Sequence, residues 1–394
     1  MESVLYIGIA MVAGLVFNRL AKLVHLPNVT GYLVAGVLIG PFVLNLINAD
    51  SIAEMTTITN VALGFIAFSV GGSFKIENIK LIGGKVLIIT ALEACVASLF
   101  VFLIMLALKR PMEETLCLAA IAAATAPAAT LMVIKQYKAS GPVTNMLLPV
   151  VAMDDAVCLI LFSVLSSVAA VIGNGTQLSV SAMILDPLKE IGLALLLGAA
   201  LGFAVAGCDR LFKSRANRTS VVVCAVFLGT ALAEKFSLSS LLVCMMISAI
   251  TVNFTKDYEK MLEVCDRWTP PIFMLFFVIS GAGLDFSVLA RREVLITGIA
   301  YVLFRAAGKY LGATAGSAIT KAEKNIVKYL GFALLPQAGV AIGLSGLVGS
   351  IIPQYGAEIR TIILCGTLIY ELTGPIISKL ALQRAGEIPK ATAK

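Results

Sequence analysis

VTNMLLPVVAMDDAVCLILFSVL, residues 143–165, sets two adjacent acids, Asp154 and Asp155, inside an otherwise apolar run. A carboxylate at the middle of a bilayer costs about 2.5–3.5 kcal/mol on insertion scales. Two in succession cannot both face lipid, so they face water, a cation or a basic partner. On a helix, neighbouring residues are about 100° apart. The two side chains therefore point in different directions, one free to pair with a fixed cation and the other to face a cavity.

The rest of the chain is of the same kind. Of its 394 residues, 59% are hydrophobic and 13% charged, too little charge to cover a soluble protein of this length. Its apolar runs of about 20 residues have the length of a membrane-crossing helix. About thirteen spans are expected, at 3–22, 28–48, 54–74, 83–108, 114–135, 143–172, 187–211, 218–235, 237–254, 269–287, 294–317, 325–350 and 357–383. The fold class is thus an all-α polytopic membrane protein, read as one integral membrane domain over 1–394. With the N-terminus outside, Lys and Arg on the inner segments outnumber those on the outer segments about threefold, as an odd span count with the C-terminus inside requires.

Other features are bland. Met1-Glu2-Ser3 enters an apolar helix without the basic start and cleavage site of a signal peptide, so the first segment is expected to stay. The tail 384–394 is short and basic, and no appended regulatory domain is expected. The net charge of +7 belongs to the inner loops and does not suggest nucleic acid as a partner. The eight cysteines, without a Cys-x-x-Cys pair, read as small buried apolar residues. His25, the only histidine, reads as a loop residue, and Asp285 as a structural one near a helix end.

The two halves echo each other. Residues 26–37 (LPNVTGYLVAGV) match 236–247 (FSLSSLLVCMMI), 66–74 (IAFSVGGSF) match 276–284 (FFVISGAGL), and 124–130 (ATAPAAT) match 334–340 (LLPQAGV), all at one offset of about 210 residues. That offset covers seven expected spans. An odd number turns the second copy upside down, and inverted repeats place a transport site at the midplane between the halves. The expected division is a first repeat over about 1–173, a linking helix at 187–211 and an inverted second repeat over 218–383.

The third matched pair interrupts a helix in each half. One break holds Thr125 and Pro127, the other Pro336, Gln337 and Gly339. Proline removes a helix hydrogen bond and clashes with the preceding turn. The freed backbone groups must then be satisfied by protein, water or ligand, and breaks at matching places in both halves point to an ion site.

A basic partner for the acids lies in span eleven. Arg305 and Lys309 are four residues apart on one face, and Gly308 and Gly312 permit close helix approach. Lys309 is the better base, since an ammonium gives up its proton and a guanidinium does not. Two close carboxylates titrate as a coupled pair and can trade a proton for a hard monovalent cation, with Asp155 or Asp154 supplying the oxygens. Glu93 and Glu371 are buried accessory acids, each either a salt-bridge partner of Arg305 or a transport residue.

Taken together, Leu26-Pro27, Gly31-Tyr32-Leu33, Gly40-Pro41, Thr125-Ala126-Pro127, Asp154-Asp155 and Gly308-Lys309-x-Leu311-Gly312 resemble the bacterial monovalent cation:proton antiporters, in particular the NapA-type and NhaA-type sodium/proton antiporters, over nearly the whole chain. The resemblance implies an NhaA-like fold, with two crossed discontinuous helices, a dimer domain plus a core domain, and elevator-like alternating access as a homodimer in the bacterial inner membrane. It implies Asp155 as the main ion- and proton-binding carboxylate, Asp154 pairing with Lys309 when no ion is bound, and an oxygen from Thr125. It also implies sodium or lithium and protons as substrates with no cofactor, and electrogenic exchange of two protons per sodium. Arg305 is a departure, because electroneutral relatives carry an arginine in this region.

Three alternatives have different chemistry. A Kef-type potassium/proton antiporter shares the span pattern, but usually has Gln-Asp in place of Asp-Asp and a nucleotide-binding domain. A sodium-coupled symporter of an organic anion shares a related inverted repeat. An intramembrane aspartyl protease needs acids from separate helices, whereas neighbours on one helix cannot converge on a scissile bond, so an enzyme is not expected.

Overall fold

The computed structural model describes residues 2–23, 28–77, 83–126, 130, 133–134, 137–173, 180–255, 258–284 and 286–388. Within them the chain is helical, and no strand occurs among the described residues. The helices are α1 Glu2–Leu23, α2 Asn28–Ile39, α3 Ala49–Glu54, α4 Thr56–Gly71, α5 Gly84–Ala107, α6 Met112–Ala122, α7 Pro142–Gly173, α8 Val180–Leu211, α9 Arg215–Lys235, α10 Ser240–Phe254, α11 Tyr258–Trp268, α12 Pro270–Ala282, α13 Phe286–Leu289, α14 Arg292–Ile319, α15 Lys324–Ala333, α16 Gly339–Ile351 and α17 Pro353–Arg384. Expectations for Pro127, His25, Leu26, Pro27 and Asp285 fall outside the described residues.

Seven of these helices (α1, α5, α7, α8, α9, α14 and α17) contain stretches long and apolar enough to cross a membrane, and α2, α4, α10, α12 and α16 are shorter apolar helices. Two expected spans are interrupted. In the span expected at 114–135, α6 stops at Ala122. The span expected at 325–350 divides into α15 and α16, with residues 334–338 between them. Helix lengths recur at the offset of the sequence echo: 24 and 28 residues for α5 and α14, 11 and 10 for α6 and α15, and 32 each for α7 and α17.

The chain divides into two compact units. The first comprises Met1–Phe17, Tyr32–Leu81 and Ala170–Gly283. Part of its apolar core gathers Ala10, Ile39, Met55, Met274 and Val278, and Phe65 meets Trp268 with ring centroids 5.3 Å apart. Large apolar side chains such as Leu5, Leu15 and Leu196 stay exposed. That would be a liability in water but is the expected surface against lipid.

The second unit comprises Asn18–Gly31, Ile82–Ala169 and Leu284–Lys394. Ile89, Val143, Leu147, Val150, Leu330 and Leu382 form part of its core. Here α5 and α14 pack backbone to backbone. A Cβ at Gly308 would stand 2.6 Å from Ala97 Cα, and one at Gly312 2.7 Å from Glu93 Cα. With a methyl group at either position the helices could not come this close, and their approach brings Glu93 beside the basic face of α14.

The N-terminus of α7, the helix of the two aspartates, is capped from far along the chain. Its first backbone N–H groups have no partner within the helix. Val143 N donates to Glu387 Oε1 at 2.6 Å, and Thr144 N and Thr144 Oγ1 donate to Glu387 Oε2 at 2.8 Å each. Ser140 N donates to the Glu387 carbonyl at 3.0 Å. The carboxylate also opposes the positive end of the helix dipole. Gly141 leaves room for it, since a Cβ there would stand 2.6 Å from Glu387 Cδ. Hydrogen bonds to a charged group are worth about 1.5–3 kcal/mol. Glu387→Ala is therefore expected to destabilise the protein by about 2 kcal/mol, read as earlier thermal unfolding in detergent. Gly141→Ala, which pushes the same carboxylate away, should act in the same direction.

Candidate ion site at two facing helix breaks

The α6 helix ends at Ala122 inside the second unit, and a helix end leaves its last carbonyls without partners. Four successive carbonyls here are taken by side chains of the other break and of α14. Gln337 Nε2 donates to Ile121 O at 3.0 Å. Arg305 Nε donates to Ala122 O at 3.1 Å, Lys309 Nζ to Ala123 O, and Arg305 Nη2 to Ala124 O. The break between α15 and α16 is bound in the same way. Arg305 Nη1 donates to Leu335 O at 2.7 Å, Ala126 N to Pro336 O at 2.8 Å, Thr125 Oγ1 to Leu334 O at 3.4 Å and Thr130 Oγ1 to Ala333 O at 2.9 Å. The two interruptions thus face each other and are joined through Arg305. Its cation suits the negative end of a half-helix.

The charged groups at this crossing are deeply buried. Glu93, Asp154, Arg305, Lys309, Gln337 and Glu371 are each 0% exposed, Thr125 is 3% and Asp155 is 9%. Lys309 Nζ lies 3.0 Å from Asp154 Oδ2 and 2.7 Å from Glu93 Oε2. The contact to Glu93 is an ion pair without hydrogen-bond alignment, and both Glu93 oxygens lack a hydrogen-bond donor. Asp154 Oδ1 and Asp155 Oδ1 also lack one. Of the aspartate pair, Asp154 is fully enclosed and tied to the lysine, while Asp155 is slightly less enclosed.

Arg305 is not the partner of either accessory acid. Its guanidinium is committed to the three carbonyls and lies 4.5 Å over the Tyr370 ring. Glu93 meets Lys309 instead, and Glu371 has no hydrogen bond or ion pair among the described residues. Gly339 opens α16, directly after the break. Tyr301, one turn before Arg305 on the same face of α14, has its hydroxyl 2.9 Å from Gln337 Nε2. The sequence reading did not single it out, although its spacing of four from Arg305 was a usable signal. Glu387 was missed with no such signal.

Buried acids thus lie beside a lysine at the meeting of two interrupted helices in an apolar bundle. The chain belongs to the sodium/hydrogen exchanger family, whose transmembrane region matches residues 7–380. It is a multi-pass membrane protein. Its fold is similar to that of the sodium proton antiporter MjNhaP1 from Methanocaldococcus jannaschii. A structure of that protein at pH 8 is 21% identical, with a TM-score of 0.75 over 98% of this chain and 99% of that one. An electron-microscopy map of the same antiporter gives 21% identity and a TM-score of 0.76, with 99% of each chain covered. No curated protein matches the chain by sequence.

Proposed function

We propose that the protein exchanges sodium or lithium for protons across a bacterial inner membrane, with Asp155 as the carboxylate that binds cation and proton in turn. The observation that carries this reading is the contrast between the two aspartates. Each keeps one oxygen without a donor, but Asp155 is 9% exposed, whereas Asp154 is fully enclosed and held by Lys309. Sodium entering at Asp155 would draw on further oxygens from Thr125 and Asp154. As Asp154 turns to the ion, Lys309 loses one of its two carboxylate partners. The ammonium then keeps Glu93 and the Ala123 carbonyl, or gives up its proton. A proton returning to Asp155, with another to Lys309 where the ammonium had lost one, releases the ion and restores the pair of Lys309 with the ionised Asp154, so the two substrates compete for one set of oxygens.

The working arrangement follows from the same reading. Thirteen spans with the N-terminus outside agree with the distribution of Lys and Arg. The matched lengths of α5 to α7 with α14 to α17 support an inverted repeat. The division into two compact units supports elevator-type alternating access by a homodimer, with a dimer domain and a core domain. A lysine beside the acids supports electrogenic exchange.

The test is proton movement in proteoliposomes, followed by an internal pH dye as sodium, lithium and potassium are added in turn. Sodium and lithium should each drive protons while potassium does not. A response to potassium alone would transfer the protein to the potassium-efflux reading, and a response to no cation would end the antiport reading.

A further inference from the structure

Glu371 is the buried acid for which the exchange described above has no use. It lies in α17, is 0% exposed, and has neither a hydrogen bond nor an ion pair on either oxygen among the described residues. Thr367, Glu371, Gly374 and Ser378 recur at the spacing of one helix face. That face lies against the breaks. A Cβ at Gly374 would stand 2.7 Å from Pro336 Cγ, and Ser378 Oγ is 3.5 Å from Thr130 Oγ1. One turn before the glutamate, Thr367 Oγ1 is also buried without a partner. Arg305, which lies over the ring of the adjacent Tyr370, donates to three backbone carbonyls.

An ionised carboxylate with no counter-charge is far too costly in apolar surroundings, and such a group is held as the neutral acid instead. Even as a neutral acid it leaves buried polar atoms unpaired, which costs stability. A leucine would avoid that cost, and intramembrane acids of this kind mark ion and proton pathways. Glu371 loses its proton only when water or a cation reaches it, and the face it occupies borders the interrupted backbone at Pro336.

We propose that Glu371 is a second proton-carrying group of this protein, separate from Asp154 and Asp155. It takes a proton from water when its face of α17 is wetted from one side of the membrane and returns that proton to water on the other. The proposal rests on the antiport reading, and it makes Glu371 a determinant of how many protons accompany each cation.

The experiment compares wild type, Glu371→Gln and Glu371→Asp in proteoliposomes. It uses two readouts: the reversal potential of sodium/proton exchange, and the infrared band of protonated carboxyl groups. The expected result is a band present in wild type, missing in Glu371→Gln, and fading as the pH of the medium is raised. Glu371→Gln should then carry fewer protons per sodium, with Glu371→Asp keeping the wild-type ratio. A band that is absent or unchanged at every pH overturns the proposal. So does a Glu371→Gln protein with the wild-type ratio and pH profile, or a folded but inactive one that Asp does not rescue. If wild type exchanges no cation, the antiport reading fails by itself, and the infrared band still decides whether Glu371 takes up and releases a proton.

Discussion

Asp155→Asn is expected to reduce sodium-driven proton movement in proteoliposomes to the level of empty vesicles. Asparagine keeps the shape of the side chain and one carbonyl oxygen, but it has no charge for a cation and no acid for a proton. With a hydrogen bond to a charged group, about 1.5–3 kcal/mol, as the scale of the interaction lost, cation affinity falls about tenfold to a hundredfold. The proton that should leave in exchange is lost with it, and both halves of the cycle fail together. Asp154→Asn should behave differently. Asp154 is fully enclosed and tied to Lys309, so its loss weakens the lysine's hold while leaving the Asp155 carboxylate in place, and measurable exchange should persist. Intact exchange in Asp155→Asn would remove that residue from the site.

The second large effect is on stability. Lys309→Met is expected to destabilise the protein by about 3–5 kcal/mol, because removing one partner of a buried ion pair leaves the other charges uncompensated. Here two acids are stranded at once, Glu93 and Asp154, and the carbonyl of Ala123 loses its donor. Thermal unfolding in detergent gives the measurement. Adding Glu93→Gln and Asp154→Asn to the Lys309→Met protein removes both stranded charges and should recover much of the loss. Equal melting of Lys309→Met and wild type would mean that the lysine contributes nothing net to the fold.

The parts of this site legible in the sequence were those that violate the chemistry of an apolar run. Asp154, Asp155, Arg305 and Lys309 stand out because charge inside a span is costly. Pro336 with Gln337 stands out because proline cannot continue a helix, and the echo of residues 124–130 in 334–340 gave the breaks a common level. Gly308 and Gly312 hinted at the close contact that brings Glu93 to Lys309. What Arg305 does could not be read, because its partners are the backbone carbonyls of Ala122, Ala124 and Leu335, and any residue supplies a carbonyl. The pairing of Glu93 with Lys309 rather than Arg305 depends on a one-turn difference along α14, finer than helix boundaries read from sequence. Glu387 lies in a tail whose composition suggested only a basic end.

That tail has a consequence for how the protein is made. The cap on α7 joins residues 244 positions apart in the chain. While the ribosome is still synthesising the second half, the helix carrying Asp154 and Asp155 has already been produced, yet its leading amides lack the carboxylate that will receive them. Capping of the helix that carries the two aspartates therefore waits until Glu387 has been translated, and a nascent chain stalled before Glu387 carries an α7 whose entry end is still open to exchange with solvent.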